Sequence, residues 1–296
     1  MSVQRADNSF SRRDALKFAA AAGAGMALPF AASLARRYGS TVHLVHVLEL
    51  PLSVAMPSDA SVLNYQQLYE QAKERARENM KELAASTRLA GLPHESVVQD
   101  GTIAETLREI VREREIDMIV LGTHGRGGLS KLMLGSVAEE IFRTATVPVL
   151  TVGPGVKGEA PEEIQVKRVL YATDFSESAG RALPYALSLA QEHQARLAIL
   201  HVADQNLPPV ELKRPAELLW QLVPEDVSLW CEPEVVVQVG SVADRILETA
   251  QEQETDLIVM GVRGAGFYGR ASTHFVGGTA SQVVRRATCP VLTVRG

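Results

Sequence analysis

The sequence predicts an α/β protein made of two tandem domains, each a mostly parallel sheet with helices on both faces. Three observations lead to this prediction. The 296 residues are enough for about two domains of ordinary size. Short apolar runs that are typical of buried strands alternate with segments of helical periodicity. One sequence pattern also occurs twice at a domain-sized interval.

The composition is that of an ordinary globular protein. Hydrophobic residues make up 46% of the chain and charged residues 22%, and the net charge is −5. This balance gives no sign of nucleic-acid binding or of stable membrane association. The two cysteines cannot form a disulfide framework and have no metal-ligand spacing. They fit a reducing compartment, so we expect a cytoplasmic protein.

Three pairs of matching segments define the repeat. Residues 117–122 match 256–261 at an interval of 139, residues 145–152 match 287–294 at 142, and residues 27–31 match 182–186 at 155. The interval changes only where loops are expected. We therefore predict an atypical N-terminal segment at 1–26, a first domain at 27–153, a linker at 154–163 and a second domain at 164–296.

A glycine-rich loop follows a buried strand in the first copy. Gly122, Gly125 and Gly135 are followed by Ser136, where a helical pattern begins. Glycines allow positive φ and let backbone N–H groups approach a phosphate closely, and a helix N-terminus attracts anions. Ser136 could cap the helix or contact the same phosphate. The alternative is a tight turn in which the glycines serve only the backbone.

The spacing of these glycines resembles the nucleotide-binding loop of the universal stress protein family. The strand at 147–152 resembles that family's usual ending, and the second copy has the same ending at 290–294. The resemblance implies two flavodoxin-like domains that bind ATP or AMP, with Mg as an optional companion of the nucleotide. It also implies that the two final strands pair inside the chain; a homodimer is a further option.

The resemblance also implies which residues contact the nucleotide. In the first copy these are Val47 and the loop residues Gly122, Thr123, His124, Gly125, Arg126, Gly127, Gly135, Ser136 and Val137. In the second copy they are Ala172, Thr173, Asp174, Val202, Gly261, Arg263, Gly264, Gly277, Gly278 and Thr279. Asp174 has two compatible interpretations, a helix N-cap and the acidic residue on the adenosine side.

The two copies differ at opposite ends of this site. Gly264 and Gly277 enclose 12 residues where the first copy has 9, and Gly278 replaces Ser136. We therefore expect the first loop to be the better phosphate binder. We also expect the first copy to lack a regular first strand, because extending the interval of 155 backwards places Ala19 opposite Asp174. Residues 16–19 could be a poor substitute, the copy could be incomplete, or the start could be unnatural.

The N-terminal segment leaves the localisation with an alternative. Arg12 and Arg13 precede a weakly hydrophobic run rich in alanine and glycine, which resembles a twin-arginine export signal. However, Ala15 occupies the position where such signals often have phenylalanine, and no cleavage site follows the run. An alanine-rich helix that happens to follow two arginines is the simpler interpretation.

No catalytic pattern stands out, and the chain has no Gly-x4-Gly-Lys-Ser/Thr loop for phosphoryl transfer. The resemblance implies an adenine-nucleotide-binding regulator of the stress response, and we expect it to lack efficient catalysis. One alternative is an ATP-hydrolysing or adenylating enzyme on a related fold. Another is an interaction module in which both nucleotide sites have decayed.

Overall fold

The structure is a computed structural model. It describes residues 17–21, 24–49, 59–123, 136–156, 164–203, 213–225, 227–262 and 278–296.

The first half of the chain alternates strands and helices. Its elements are β1 (Lys17–Ala21), α1 (Ala24–Tyr38), β2 (Thr41–Leu48), α2 (Asp59–Ala84), β3 (His94–Asp100), α3 (Ile103–Glu113), β4 (Met118–Gly122), α4 (Ser136–Thr144) and β5 (Val149–Val152). A short 3-10 helix at Thr87–Leu89 follows α2.

The second half repeats this order. Its elements are β6 (Arg168–Ala172), α5 (Glu177–His193), β7 (Arg196–Ala203), α6 (Lys213–Leu222), β8 (Glu234–Val239), α7 (Val242–Glu252), β9 (Leu257–Val262), α8 (Thr279–Arg286) and β10 (Val291–Arg295). A 3-10 helix at Val227–Leu229 separates α6 from β8. The α/β class and the tandem architecture predicted from the sequence are confirmed.

All ten strands form one sheet, in the order β3-β2-β1-β4-β5-β10-β9-β6-β7-β8. Neighbours within each half are parallel, whereas β5 and β10 pair antiparallel and join the halves. The predicted pairing of the two final strands inside the chain is therefore confirmed. Each half has the strand order 3-2-1-4-5, which differs from the order 2-1-3-4-5 of flavodoxin itself.

Two apolar cores lie on opposite faces of the sheet. One contains residues of α1, α2, α5 and α6, and the other contains residues of α3, α4, α7 and α8. Neighbouring residues of a strand enter different cores: Val120 belongs to the first and Leu121 to the second. This two-sided burial explains why the strands are nearly continuous apolar runs.

The prediction that the first domain lacks a regular first strand is wrong. β1 lies between β2 and β4 and pairs in parallel with both. Alanine is a poor strand former and a strong helix former, so the sequence Lys-Phe-Ala-Ala-Ala pointed away from a strand. The central position in the sheet overrides this preference, because without β1 two strand edges would carry unpaired backbone groups.

The predicted alignment of Ala19 with Asp174 is also wrong. Lys17 pairs with Thr41 as Arg168 pairs with Arg196, so β1 matches β6 at an interval of 151. The following helices keep the interval of 155, since Ser40 donates to Ala35 as Ala195 does to Ala190. The connection from β1 to α1 is therefore four residues shorter than that from β6 to α5. The boundaries predicted for the domains stay a prediction, although β1 lies within the segment set apart as 1–26.

Candidate functional site

The candidate site of the second half lies at the carboxyl ends of β6 and β9. From β6 the chain runs to β7 and β8 on one side of the sheet, and then crosses to β9 on the other side. Ligands of doubly wound sheets bind in the crevice that such a change of direction opens. Ala172 is the last residue of β6, and Val202 lies near the carboxyl end of the adjacent strand β7.

A tight turn connects β6 to α5 at this edge. The buried Thr173 donates its N–H to the Leu200 carbonyl at 2.9 Å, and its Oγ1 accepts the Phe175 N–H at 3.0 Å. The exposed Asp174 accepts the Ser176 N–H on Oδ1 at 3.0 Å. Ser176 is the N-cap of α5 and accepts the Ala179 N–H at 3.3 Å. Asp174 therefore stabilises the turn rather than capping the helix, and its carboxylate stays exposed at the edge.

Sequence reasoning missed two residues at this edge, Phe175 of the turn and His201 of β7. Phe175 has a φ of +59°, which is uncommon for a bulky residue, and its ring lies 4.7 Å from the His201 ring between centroids. His201 Nδ1 is 2.9 Å from the Thr173 carbonyl oxygen. The pairing of His46 with His201 in the repeat could have drawn attention to this end of the strand.

The start of α5 also packs against the end of β9. A Cβ added to Gly261 would lie 2.4 Å from the Ala179 nitrogen and 2.4 Å from the Ser178 carbonyl carbon. The Tyr171 hydroxyl donates to the Ala179 carbonyl at 2.7 Å, and burial is the main cause that raises the pKa of Tyr171 to about 12. Asp174 adds to this rise through its negative charge. Contacts from two strands, β6 and β9, therefore hold the first turn of α5 in place.

Helix α8 begins at the same edge, because it connects the parallel strands β9 and β10. Its N-cap is Gly278, which has no side chain that could accept a capping hydrogen bond. Thr279 is its first residue. The N-terminal N–H groups of a helix that lack such a cap are suitable partners for an anion.

In the first half the described site residues occupy matching places. Gly122 ends β4, and the buried Thr123 donates its N–H to the Val152 carbonyl at 3.2 Å. Ser136 is the first residue of α4, Val137 is the second, and Val47 lies near the end of β2. The connection after β1 is four residues shorter than the one that contains residues 173–176 of the second half.

Several predicted contacts lie outside the described residues. These are the loop residues His124, Gly125, Arg126, Gly127, Gly135, Arg263, Gly264 and Gly277. Their roles stay predictions. Among the described residues, His, Cys, Asp and Glu side chains nowhere gather in a group of three or more that could hold a metal ion. Within the same part of the chain, no helix is both long and apolar enough to span a bilayer.

Comparison with known proteins identifies the family. The family model described as "Universal stress protein family" matches residues 7–153 and 165–295. The chain therefore belongs to the universal stress protein family, and it carries the family's domain twice.

Relatives of about the same length and relatives of about half that length both resemble the chain. A universal stress protein of Mycolicibacterium smegmatis is 26% identical over 91% of this chain and 92% of its own length. One from Thermus aquaticus is 38% identical over 44% of this chain and 98% of its own length. The crystal structure of a universal stress protein from Archaeoglobus fulgidus covers 94% of this chain and 98% of its own, with 23% identity and a TM-score of 0.68. This last likeness supports the fold alone.

The matched structures include a complex with a nucleotide. It is a universal stress protein in complex with cAMP, which covers 45% of this chain and 98% of its own, with 24% identity and a TM-score of 0.36. The bound cAMP is a finding about that protein and not about this chain.

Proposed function

We propose that this chain binds an adenine nucleotide, ATP or AMP, at the carboxyl ends of the parallel strands of a half, and acts as a stress-response regulator without efficient catalysis. The observation that carries the proposal is the turn from Thr173 to Ser176. It leaves an exposed carboxylate, that of Asp174, two residues after the end of β6, at the edge where β6 and β9 end side by side. An acidic residue near this crevice is suited to accept hydrogen bonds from ribose hydroxyls.

The two ends of the nucleotide have separate partners in this proposal. The ribose hydroxyls meet Asp174, and the backbone near Val202 lies beside the base. In the second half the phosphates meet the N-terminus of α8. In a separate site of the first half they meet the N-terminus of α4, because the antiparallel pairing of β5 with β10 places the carboxyl ends of the two halves at opposite edges of the sheet. Mg would accompany the phosphates.

Titration of the full chain with ATP and with AMP tests the proposal. Asp174→Ala removes the carboxylate, and we expect the dissociation constant to rise about tenfold, as for loss of a hydrogen bond to a charged group. Glu177→Gln is the matched control, because Glu177 is an exposed acid three residues away that pairs with Arg181 at 2.7 Å. It should bind nucleotide like the parent. Equal binding by Asp174→Ala would remove the ribose assignment.

The same titration separates the two halves and the alternatives. If Gly125→Val or Gly135→Val weakens binding, the first loop holds phosphate, as its spacing predicts. If the parent binds no nucleotide, the interaction module is the better description. Phosphate release above a control without protein would support the ATP-hydrolysing enzyme instead.

A further inference from the structure

His201 connects strand β7 to the turn that follows β6. It lies near the carboxyl end of β7 and is half-buried. Its Nδ1 is 2.9 Å from the Thr173 carbonyl oxygen, and its ring is 4.7 Å from the Phe175 ring between centroids. A carbonyl oxygen can only accept a hydrogen bond, so Nδ1 carries a proton and donates it. The imidazole therefore contacts the turn twice, once at the backbone and once at a side chain.

Thr173 is held by β7 through both of its backbone polar groups. Its N–H donates to the Leu200 carbonyl at 2.9 Å, and its carbonyl accepts from His201. Its Oγ1 in turn accepts the Phe175 N–H at 3.0 Å. Of the two groups that β7 supplies, only the imidazole depends on the identity of a side chain. Substitution of His201 therefore changes how the turn is held without altering the turn's own sequence.

The backbone of the turn has an uncommon conformation at Phe175. Its φ of +59° lies in the left-handed region, which bulky residues rarely adopt, and such a conformation persists only where its surroundings hold it. Phe175 is 38% exposed, so it is not held by complete burial, and its ring packs against His201 instead. Phe175 stands between Asp174 and Ser176, whose hydrogen bond of 3.0 Å orients the carboxylate.

The repeat supplies an internal comparison. His46 is the counterpart of His201 at the interval of 155, and it lies near the carboxyl end of β2. The connection from β1 to α1 consists of Ala22 and Gly23, neither of which is acidic. His46 is exposed, whereas His201 is half-buried. The same residue type therefore stands beside an acidic turn only in the second half.

We infer that His201 is a positioning residue for the ribose. Through the Thr173 carbonyl and the Phe175 ring it holds the turn, and the turn directs the Asp174 carboxylate towards the ribose hydroxyls. The inference rests on the proposed nucleotide function, because it concerns the same site. His201 acts through Asp174 and makes no contact with the nucleotide in this scheme.

ATP and 2′,3′-dideoxy-ATP, which lacks both ribose hydroxyls, are a matched pair of probes for the full chain. Loss of a base or phosphate contact weakens both equally, so the ratio of their dissociation constants reports the ribose contact. The Ser176 amide resonance in NMR follows binding in the second half. We expect the parent to prefer ATP about tenfold, and His201→Leu, which keeps apolar bulk but has no donor, only about twofold. His201→Asn should restore most of the preference, because its amide N–H can reach the position of Nδ1.

Two further measurements separate positioning from a general loss of stability. His46→Leu is the matched control, and it should keep the tenfold preference. In the free parent, at mildly alkaline pH where an imidazole is neutral, the ring nitrogen shifts should place the proton of His201 on Nδ1. In His201→Leu the Phe175 and Ser176 amides should exchange with solvent about tenfold faster, while the amides of β6 keep their rates.

The outcomes distinguish this inference from the proposed function. A parent that binds neither probe contradicts the proposed function, and one that binds both equally contradicts the ribose contact; the inference falls in either case. If the parent prefers ATP and His201→Leu keeps that preference, only the inference is overturned. A ring proton on Nε2 alone, or a lost preference that His201→Asn leaves unrestored, also overturns it.

Discussion

At the scale of single residues, Gly261 sets how closely β9 approaches the first turn of α5. The Cβ of any other residue would collide with backbone atoms of Ser178 and Ala179, and backbone cannot move aside as a flexible side chain can. Gly180 stands in that same turn, but a Cβ added there would have no heavy atom within 4 Å. Packing therefore requires a glycine at position 261 but not at position 180.

We expect Gly261→Ala to lower the free energy of unfolding by about 1–3 kcal/mol, because a new methyl group overpacks this contact. Gly180→Ala should instead raise it by about 0.5–1 kcal/mol, since alanine favours the helix. Urea unfolding of both variants measures the difference. A Gly261→Ala variant as stable as the parent would contradict the close contact.

At the scale of elements, β1 shows that position in the sheet can decide the structure of a segment. Its alanines favour a helix, yet the segment pairs with β2 and β4 at the centre of the first half. Its backbone N–H groups donate hydrogen bonds to these two neighbouring strands. By contrast, β3 is the first strand in the sheet order, and among the described strands β2 is its one partner.

Proline substitution compares these two strands. Ala19→Pro should lower the free energy of unfolding by about 3 kcal/mol or more, because it removes a ladder hydrogen bond in a central strand. Ser96→Pro in β3 is the control: the Val42 N–H donates to the Pro93 carbonyl, so the register turns the Ser96 N–H away from β2. It should cost clearly less in the same denaturation experiment. Equal losses would argue against the central place of β1.

The sequence alone predicted most of the elements, because the repeat and the apolar runs depend on local patterns. It also predicted the pairing of the final strands, through the family resemblance. The prediction failed at β1 for two reasons. The high helix propensity of alanine argued against a strand, and the assumption of a constant interval of 155 gave a wrong alignment. The four-residue difference between the two βα turns is visible only in the strand register. The close approach at Gly261 and the left-handed Phe175 depend on three-dimensional packing that no local pattern encodes.

At the scale of the whole molecule, the junction between the halves contains a half-buried histidine, His193. His193 of α5 lies near Arg37 of α1, and together with Tyr38 and Asp256 it lines a small cavity between α1 and α5. Its pKa in the folded chain is about 4, below its usual 6.5. The unfolded chain therefore binds more protons at this group between those two pH values.

We expect the parent to lose stability at the junction as the pH falls from about 6.5 to about 4. The loss relative to His193→Gln should be on the order of 1–2 kcal/mol, after allowance for partial solvent screening. Thermal or urea unfolding of both proteins across this pH range measures it. Parallel pH profiles for the parent and the variant would contradict the lowered pKa.

The antiparallel contact of β5 with β10 has a consequence for how the protein can change over time. Two separate subunits would come apart on dilution, whereas here one covalent chain keeps both partners at a high effective concentration. Because the partners are never exchanged, each can accumulate its own substitutions without having to fit a copy of itself. The shortened connection after β1 in one half and the lengthened glycine loop in the other are differences of the kind that such a permanent pairing allows.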